Sequence, residues 1–259
     1  MGFGVWGLGL VGRFRREMRA VAALRHPHLV ELLDLGWDEV GGYFVVMELL
    51  RGESLLDRIE RLGARPLPEI DRILSQVLPA LQHAHDAGVI HRDIKAENIF
   101  LEERPDGVFA RLLDFGLAKI DAEAAHDSLL LEATDQLTRP DQALGSPATM
   151  SPEQVMNLGV DYRSDLYSLG VVLFEMLTAE LPFDSDKPLL IMQKHVHEAP
   201  PKPSSRKDGR WIPTSLDDLV LSCLSKRPSQ RPQSALDLLQ QWQGCLAASQ
   251  ASFKRTMAY

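Results

Sequence analysis

The chain has 259 residues, enough to bury a sizeable core as one domain. Its 28 basic residues against 36 acidic ones leave a net charge of −8, so no overall basic field favours nucleic acid or an anionic membrane. Its two cysteines, Cys223 and Cys245, exclude a dense disulfide framework and suit a reducing cytosol, where both are expected to act as packing residues.

The start, MGFGVWGLGLVG, is small and apolar, but its basic cluster Arg13, Arg15 and Arg16 follows the apolar run, whereas a secretory signal carries its positive charge first. Residues 1–12 are expected to be a leader, and a cytoplasmic location is expected. Gly2 to Gly7 fits G-x-G-x-x-G letter by letter. That motif has meaning only between two strands, and no strand with a lysine fits between Gly7 and Glu17. Phe14, Met18, Val21 and Ala22 recur at helical spacing, and Glu17 shares a face with Val21 and Leu24, so an amphipathic helix with one inward carboxylate is expected. Leu29 to Trp37 and Tyr43 to Leu49 read as two strands joined around Gly41 and Gly42.

Ser54 to Leu62 predicts a short helix with Leu55, Ile59 and Leu62 on one side. Pro68 opens a longer one, with Ile70, Ile73, Leu74, Val77, Leu78 and Leu81 inward and Gly88 at its close. Two stretches follow, Val89 to Leu101 (VIHRDIKAENIFL) and Leu112 to Lys119 (LLDFGLAK). Each carries acidic or amide side chains out of a short apolar run into a loop. The polar segment from Asp114 to Glu153 ends GSPATMSPE. Asp161 to Ala179 predicts a buried helix, whose longest apolar run, Ser168 to Leu177, is interrupted by Glu175 and too short to span a bilayer. Residues after Gln243 read as a helix end and a tail. The pairs His26 and His28, His83 and His85, and His195 and His197 lack the cysteine or carboxylate company of a zinc site and are read as surface or packing residues.

His91, Arg92 and Asp93 with Lys95 and Asn98, followed by Asp114, Phe115 and Gly116, resemble the catalytic loop and metal-binding turn of the protein kinase family. Lys95 is the serine/threonine form of that loop, and the resemblance, to the bacterial branch of that family, runs from Arg13 to Trp242. It implies an α+β, two-lobed fold: a small lobe (13–50) reduced to a helix and about two strands, on a mainly helical large lobe (51–245), with a tail at 246–259. It implies ATP and Mg2+ (or Mn2+) as cofactors, with Asp93 as the base, Lys95 as the cation over the moving phosphate, and Asn98 and Asp114 as metal ligands. Met47 would sit behind the adenine, and the backbone of Glu48 and Leu50 would meet its edge.

In the same family reading Ser146 stands where a threonine usually braces the catalytic Asp, and Ser151-Pro152-Glu153 replaces Ala-Pro-Glu. Glu153 pairs with Arg231, Asp165 holds the catalytic-loop backbone, and Arg92 grips a phosphate on the segment, for which Thr138 is the first choice. Glu17 would pair with a strand lysine, yet the first lysine of the chain is Lys95. Two readings follow: a protein kinase acting on Ser/Thr hydroxyls of protein substrates, or a truncated, pseudokinase-like module with weak or no catalysis that binds partners. The missing lysine predicts weak turnover. A kinase of small molecules shares the two aspartates but not the segment, Asp165 or Arg231. No nucleic-acid partner is expected, and the sequence specifies no oligomeric state.

Overall fold

The computed structural model describes residues 20–38, 42–115, 146–207 and 211–256. Glu17, Gly116 and Thr138, the residues 1–12 and the Gly41 turn position lie outside them. The fold is α+β, with a small, strand-bearing lobe on a mostly helical remainder.

Ala20 to Ala23 are helical, and β1 (Leu32–Asp38) pairs antiparallel with β2 (Gly42–Met47). A register shift between Leu32 and Asp34 kinks the pair. The segment that leads into β1 is stitched to the large lobe. Leu112 N–H donates to His28 O at 2.9 Å, Val30 N–H donates to Leu112 O at 3.0 Å, and Leu29 bridges Leu112 in parallel. This seam ends two residues before Asp114.

The large lobe begins with a three-stranded antiparallel sheet, β3 (Glu53–Ser54), β4 (Ile99–Arg104) and β5 (Gly107–Leu112), ordered β3-β4-β5. Only parts of β4 and β5 were visible in the two apolar runs. The hairpin forms because Ile99, Leu101, Val108, Ala110 and Leu112 alternate inward over the core. Helix α1 (Leu55–Leu62) starts at Ser54, whose hydroxyl accepts from Asp57 N–H while the Asp57 carboxylate accepts from Ser54 N–H, a reciprocal cap. Helix α2 (Leu67–Asp86) buries Ile70, Ile73, Leu74, Val77, Leu78 and Leu81 as its spacing predicts. It ends at Gly88, whose φ of 75° suits a residue without Cβ.

After the short helix α3 (Pro152–Val155) comes α4 (Arg163–Thr178), buried on every side. Helix α5 (Pro188–His197) packs on α3 and on the turn Pro147–Thr149, α6 (Thr214–Cys223) packs on α4, and α7 (Ala235–Thr256) packs on α2 and α6. Gly170 lets α4 approach α6, since a Cβ there would lie 2.5 Å from the Cβ of buried Cys223. Cys245 lies in α7, which continues through the boundary expected at 245; no break separates lobe from tail. Trp242 on α7 is fully buried and donates to Asp71 Oδ1 at 2.9 Å, which locks α7 onto α2.

Candidate active site

The loop between α2 and β4 carries His91, Arg92, Asp93, Lys95 and Asn98. Arg92 has φ 64° and Asp114 has φ 41°, left-handed conformations that cost a non-glycine residue about 1–2 kcal/mol each. Such backbone persists only where neighbours hold it. Arg92 is held from both sides: its N–H donates to Asp165 Oδ1 at 2.8 Å, and its carbonyl accepts from Gln154 Nε2 at 2.9 Å. Asp165, 1% exposed on α4, also accepts from His91 N–H at 2.9 Å and from His85 Nε2 at 2.7 Å. A buried carboxylate is costly unless hydrogen-bonded, and here three donors converge on it.

His91 is fully buried. Its Nε2 lies 2.7 Å from Leu113 O, and because a carbonyl only accepts, Nε2 carries the proton. Burial lowers the pKa of this ring below the usual histidine range, against the pull of Asp165 and the Leu113 carbonyl, so His91 is a neutral strut. Phe115, also buried, lies over it at 4.6 Å between ring centres. Leu113 N–H donates to Asn98 O at 2.8 Å. The backbone just before Asp114 is thereby tied on one side to His91 and on the other to Asn98.

Three of the side chains expected in the site meet directly. Asn98 Nδ2 donates to Asp93 O at 2.8 Å and Asp93 Oδ2 at 3.1 Å, and Lys95 Nζ lies 3.4 Å from the same Oδ2. Asp93 is thus aimed by an amide and flanked by an ammonium. At the small-lobe edge, Met47 ends β2 opposite Leu32. Glu48 spends its N–H on Glu31 O (3.0 Å) and its carboxylate on Glu31 N–H (2.8 Å) and Arg111. Leu50 is half-buried just beyond.

Glu153 and Arg231 form a bidentate pair at 2.6 and 2.7 Å, with Ser164 Oγ on Glu153 Oε1 at 2.5 Å. Burial alone would raise the Glu153 carboxyl, but Arg231 and Ser164 outweigh it and hold the group below its ordinary range. Ser146 closes a single turn through its carbonyl, which accepts from Thr149 N–H at 3.2 Å. Ser151 caps α3: its hydroxyl accepts from Gln154 N–H at 3.3 Å, and Gln154 Oε1 accepts from Ser151 N–H at 3.0 Å. An alanine there could not do this.

Gln154 was not singled out from sequence, and His85 was read only as a surface or packing residue. Ser151 followed by Gln154 does spell a capping box, a local signal for the first. Nothing local marks His85, whose partner lies 80 residues away.

A model of the protein kinase domain matches residues 10–242. The chain belongs to the protein kinase domain family. The kinase domain is 42% identical over 231 residues to the serine/threonine-protein kinase pkn3 of Myxococcus xanthus, covering 87% of this chain and 40% of that protein. It is 38% identical to a probable serine/threonine-protein kinase of Clostridium perfringens (89% and 31%) and 35% identical to PknB of Mycobacterium tuberculosis (87% and 34%). The chain therefore spans two fifths or less of the length of these relatives. The solved kinase domain of Mycobacterium tuberculosis PknI resembles it with a TM-score of 0.67 at 24% identity, over 92% of this chain and 79% of that one, a likeness of fold. No helix of the described residues is long and apolar enough to cross a membrane.

Proposed function

We propose that the chain transfers the γ-phosphate of ATP to Ser/Thr hydroxyls of proteins. The observation that carries this reading is the meeting of Asp93, Asn98 and Lys95 around one carboxylate oxygen. Asp93 orients the acceptor hydroxyl and receives its proton, which leaves as the oxygen attacks phosphorus. Asn98 fixes the direction of Asp93, and Lys95 places positive charge beside it. The strained Arg92 backbone, pinned by Asp165 and Gln154, sets the loop in advance of substrate.

Asn98 spends its amide hydrogens on Asp93, leaving its carbonyl oxygen as a hard donor, and Asp114 supplies an exposed carboxylate. Few hard oxygens suit magnesium when phosphates complete its shell. Among the described residues no three His, Cys, Asp or Glu side chains form a metal cluster by themselves. Asn98 and Asp114 would hold Mg2+ (or Mn2+), which neutralises phosphate charge when bound. Met47, Glu48 and Leu50 would border the adenine.

The domain division proposed is a small lobe through residue 50 and a large lobe after it. Thr138 is proposed as the activating phosphate acceptor, which mass spectrometry of active protein between Ser128 and Ser146 tests. No nucleic-acid partner is proposed, and a cytoplasmic site of action is part of the same proposal.

The test is ATP-dependent labelling of casein with Mg2+, with Asp93→Asn as control. Labelling lost at least about 100-fold in the variant supports the reading; equal labelling refutes it. A second reading, a nucleotide- or partner-binding module without turnover, is favoured by one observation: Ala20 to Leu50 contains no lysine to meet the phosphates. Nucleotide-dependent thermal stabilisation without casein labelling would select it.

A further inference from the structure

We propose that His195 is a positioning residue for the acceptor side of the reaction, holding the segment Ser146–Met150 through the carbonyl of Ala148; this rests on the phosphoryl-transfer reading above. His195 is fully buried near the end of α5, yet both ring nitrogens are committed to partners on other elements. Nε2 lies 3.0 Å from Ala148 O and therefore donates; Nδ1 lies 2.8 Å from Tyr167 Oη and accepts the phenol proton. An apolar ring of the same volume would fill this space without the cost of burying two polar atoms. What imidazole adds is an acceptor on one edge and a donor on the other, which spans α4 to the segment.

The ring is itself immobilised. Phe183 meets it edge-on at 5.0 Å and Tyr167 at 5.6 Å. Lys226 Nζ donates to His195 O at 2.7 Å and to Lys194 O at 3.3 Å, closing the carbonyl end of α5, while the ammonium sits 4.6 Å from the Phe183 ring centre. Burial, with Lys226 nearby, lowers the His195 pKa to about 4, so the ring stays a neutral donor through the physiological range.

The segment has few other side-chain anchors among the described residues. Ser168 Oγ donates to Thr149 O at 2.7 Å, and beyond Met150 the capping pair Ser151 and Gln154 leads to Arg92 O. Contacts thus run from Lys226 through His195 to Ala148; the chain itself then leads through Thr149 and Met150 to Ser151 and Gln154, whose amide meets the carbonyl of Arg92, the residue before Asp93. Movement of Ala148 changes how an acceptor chain lies against Asp93, while Asn98 and Asp114 on the nucleotide side keep their own supports.

Two substitutions separate this role from packing. His195→Gln places an amide N–H near the Nε2 position and keeps a donor for Ala148; His195→Asn places it near Nδ1, where it faces Tyr167 and leaves the carbonyl unmet. Casein phosphorylation and hydrogen–deuterium exchange of the peptide covering 146–150 are measured for both, with thermal unfolding alongside. The expected result for His195→Asn is a rise of about 5- to 20-fold in both exchange at 146–150 and KM for casein. KM for ATP and kcat should stay within about twofold, and His195→Gln should restore wild-type behaviour. Equal effects of the two variants, unchanged exchange at 146–150, or a loss shared between kcat and both KM values would overturn the proposal. Should His195→Asn fail to fold, Tyr167→Phe removes the proton that fixes Nδ1. It must move exchange and casein KM in the same direction, and no change in either rejects the assignment. If the unmodified chain shows no Asp93-dependent labelling, the phosphoryl-transfer reading fails, while exchange at 146–150 still decides whether His195 holds the segment.

Discussion

The β1–β2 pair of the small lobe and the α4 region of the large lobe solve the problem of burial in opposite ways. In the pair, Leu33, Phe44 and Val46 remain 59%, 46% and 41% exposed, and such a two-stranded sheet is marginal alone. It is held to the large lobe by the backbone seam of His28 and Val30 with Leu112. Around α4 the burial is nearly total, and it includes Asp165, Ser164, Ser168 and Glu175. The large lobe carries the polar groups that set the loop of Asp93 and gathers three donors on Asp165, although His85 Nδ1 is left without a hydrogen-bond partner among the described residues. The small lobe is positioned by what it touches.

The contrast is broken most severely at the Glu153–Arg231 pair. Arg231→Ala leaves a buried carboxylate without its cation and should cost about 3–5 kcal/mol in denaturant unfolding at neutral pH. Because the folded Glu153 pKa lies below its ordinary 4.5, the pair's contribution is present above that pH and disappears as pH falls through the folded value. The difference between wild type and a Glu153→Gln, Arg231→Met double variant should accordingly shrink in acid.

Glu175 sharpens the comparison with the opposite sign. Burial, with Glu97 and Glu60 nearby, raises its pKa to about 7. Folding therefore takes up a proton between the unfolded value and 7, and stability falls as pH rises through that window. Glu175→Gln should stabilise the fold at pH 8 by about 3 kcal/mol and leave it unchanged near pH 4, a difference that thermal melts at the two pH values would show. Equal melting shifts at both pH values would contradict it.

A smaller effect is expected at Ser151. Ser151→Ala removes the α3 cap, should cost about 1 kcal/mol of stability, and should loosen Gln154 from Arg92, lowering casein phosphorylation more than nucleotide-dependent thermal shift. The smallest belongs to the exposed end of the β1–β2 sheet: Leu49, just beyond β2, is 90% exposed, and Leu49→Ser should change unfolding free energy by no more than about 0.5 kcal/mol. A larger loss would show that this end of the sheet is covered.

Helix spacing around Leu55, Ile73 and Leu166, the strands of the small lobe and the identities of Asp93, Asn98 and Asp114 were legible because each depends on offsets of a few residues. The β4–β5 hairpin was half hidden, since its first strand begins inside the catalytic stretch and its alternation is short. The continuation of α7 to Thr256 was missed because its later residues are small and polar, with no apolar stripe. His195 was read as a surface or packing residue, for the burial and polar partners of such a ring are visible only through its neighbours.

By itself the sequence pointed, through motif spacing and family resemblance, to the residues proposed for phosphoryl chemistry, and side-chain period placed most of the short elements around them, because such signals follow chain offset. The family resemblance already implied that Asp165 meets the loop of Arg92 across 73 residues and Glu153 meets Arg231 across 78; only the tertiary structure decided that His85 joins Asp165 across 80 and that His195 reaches Ala148 across 47. Such contacts depend on how buried helices cross, and a buried polar group takes whichever partner that crossing delivers.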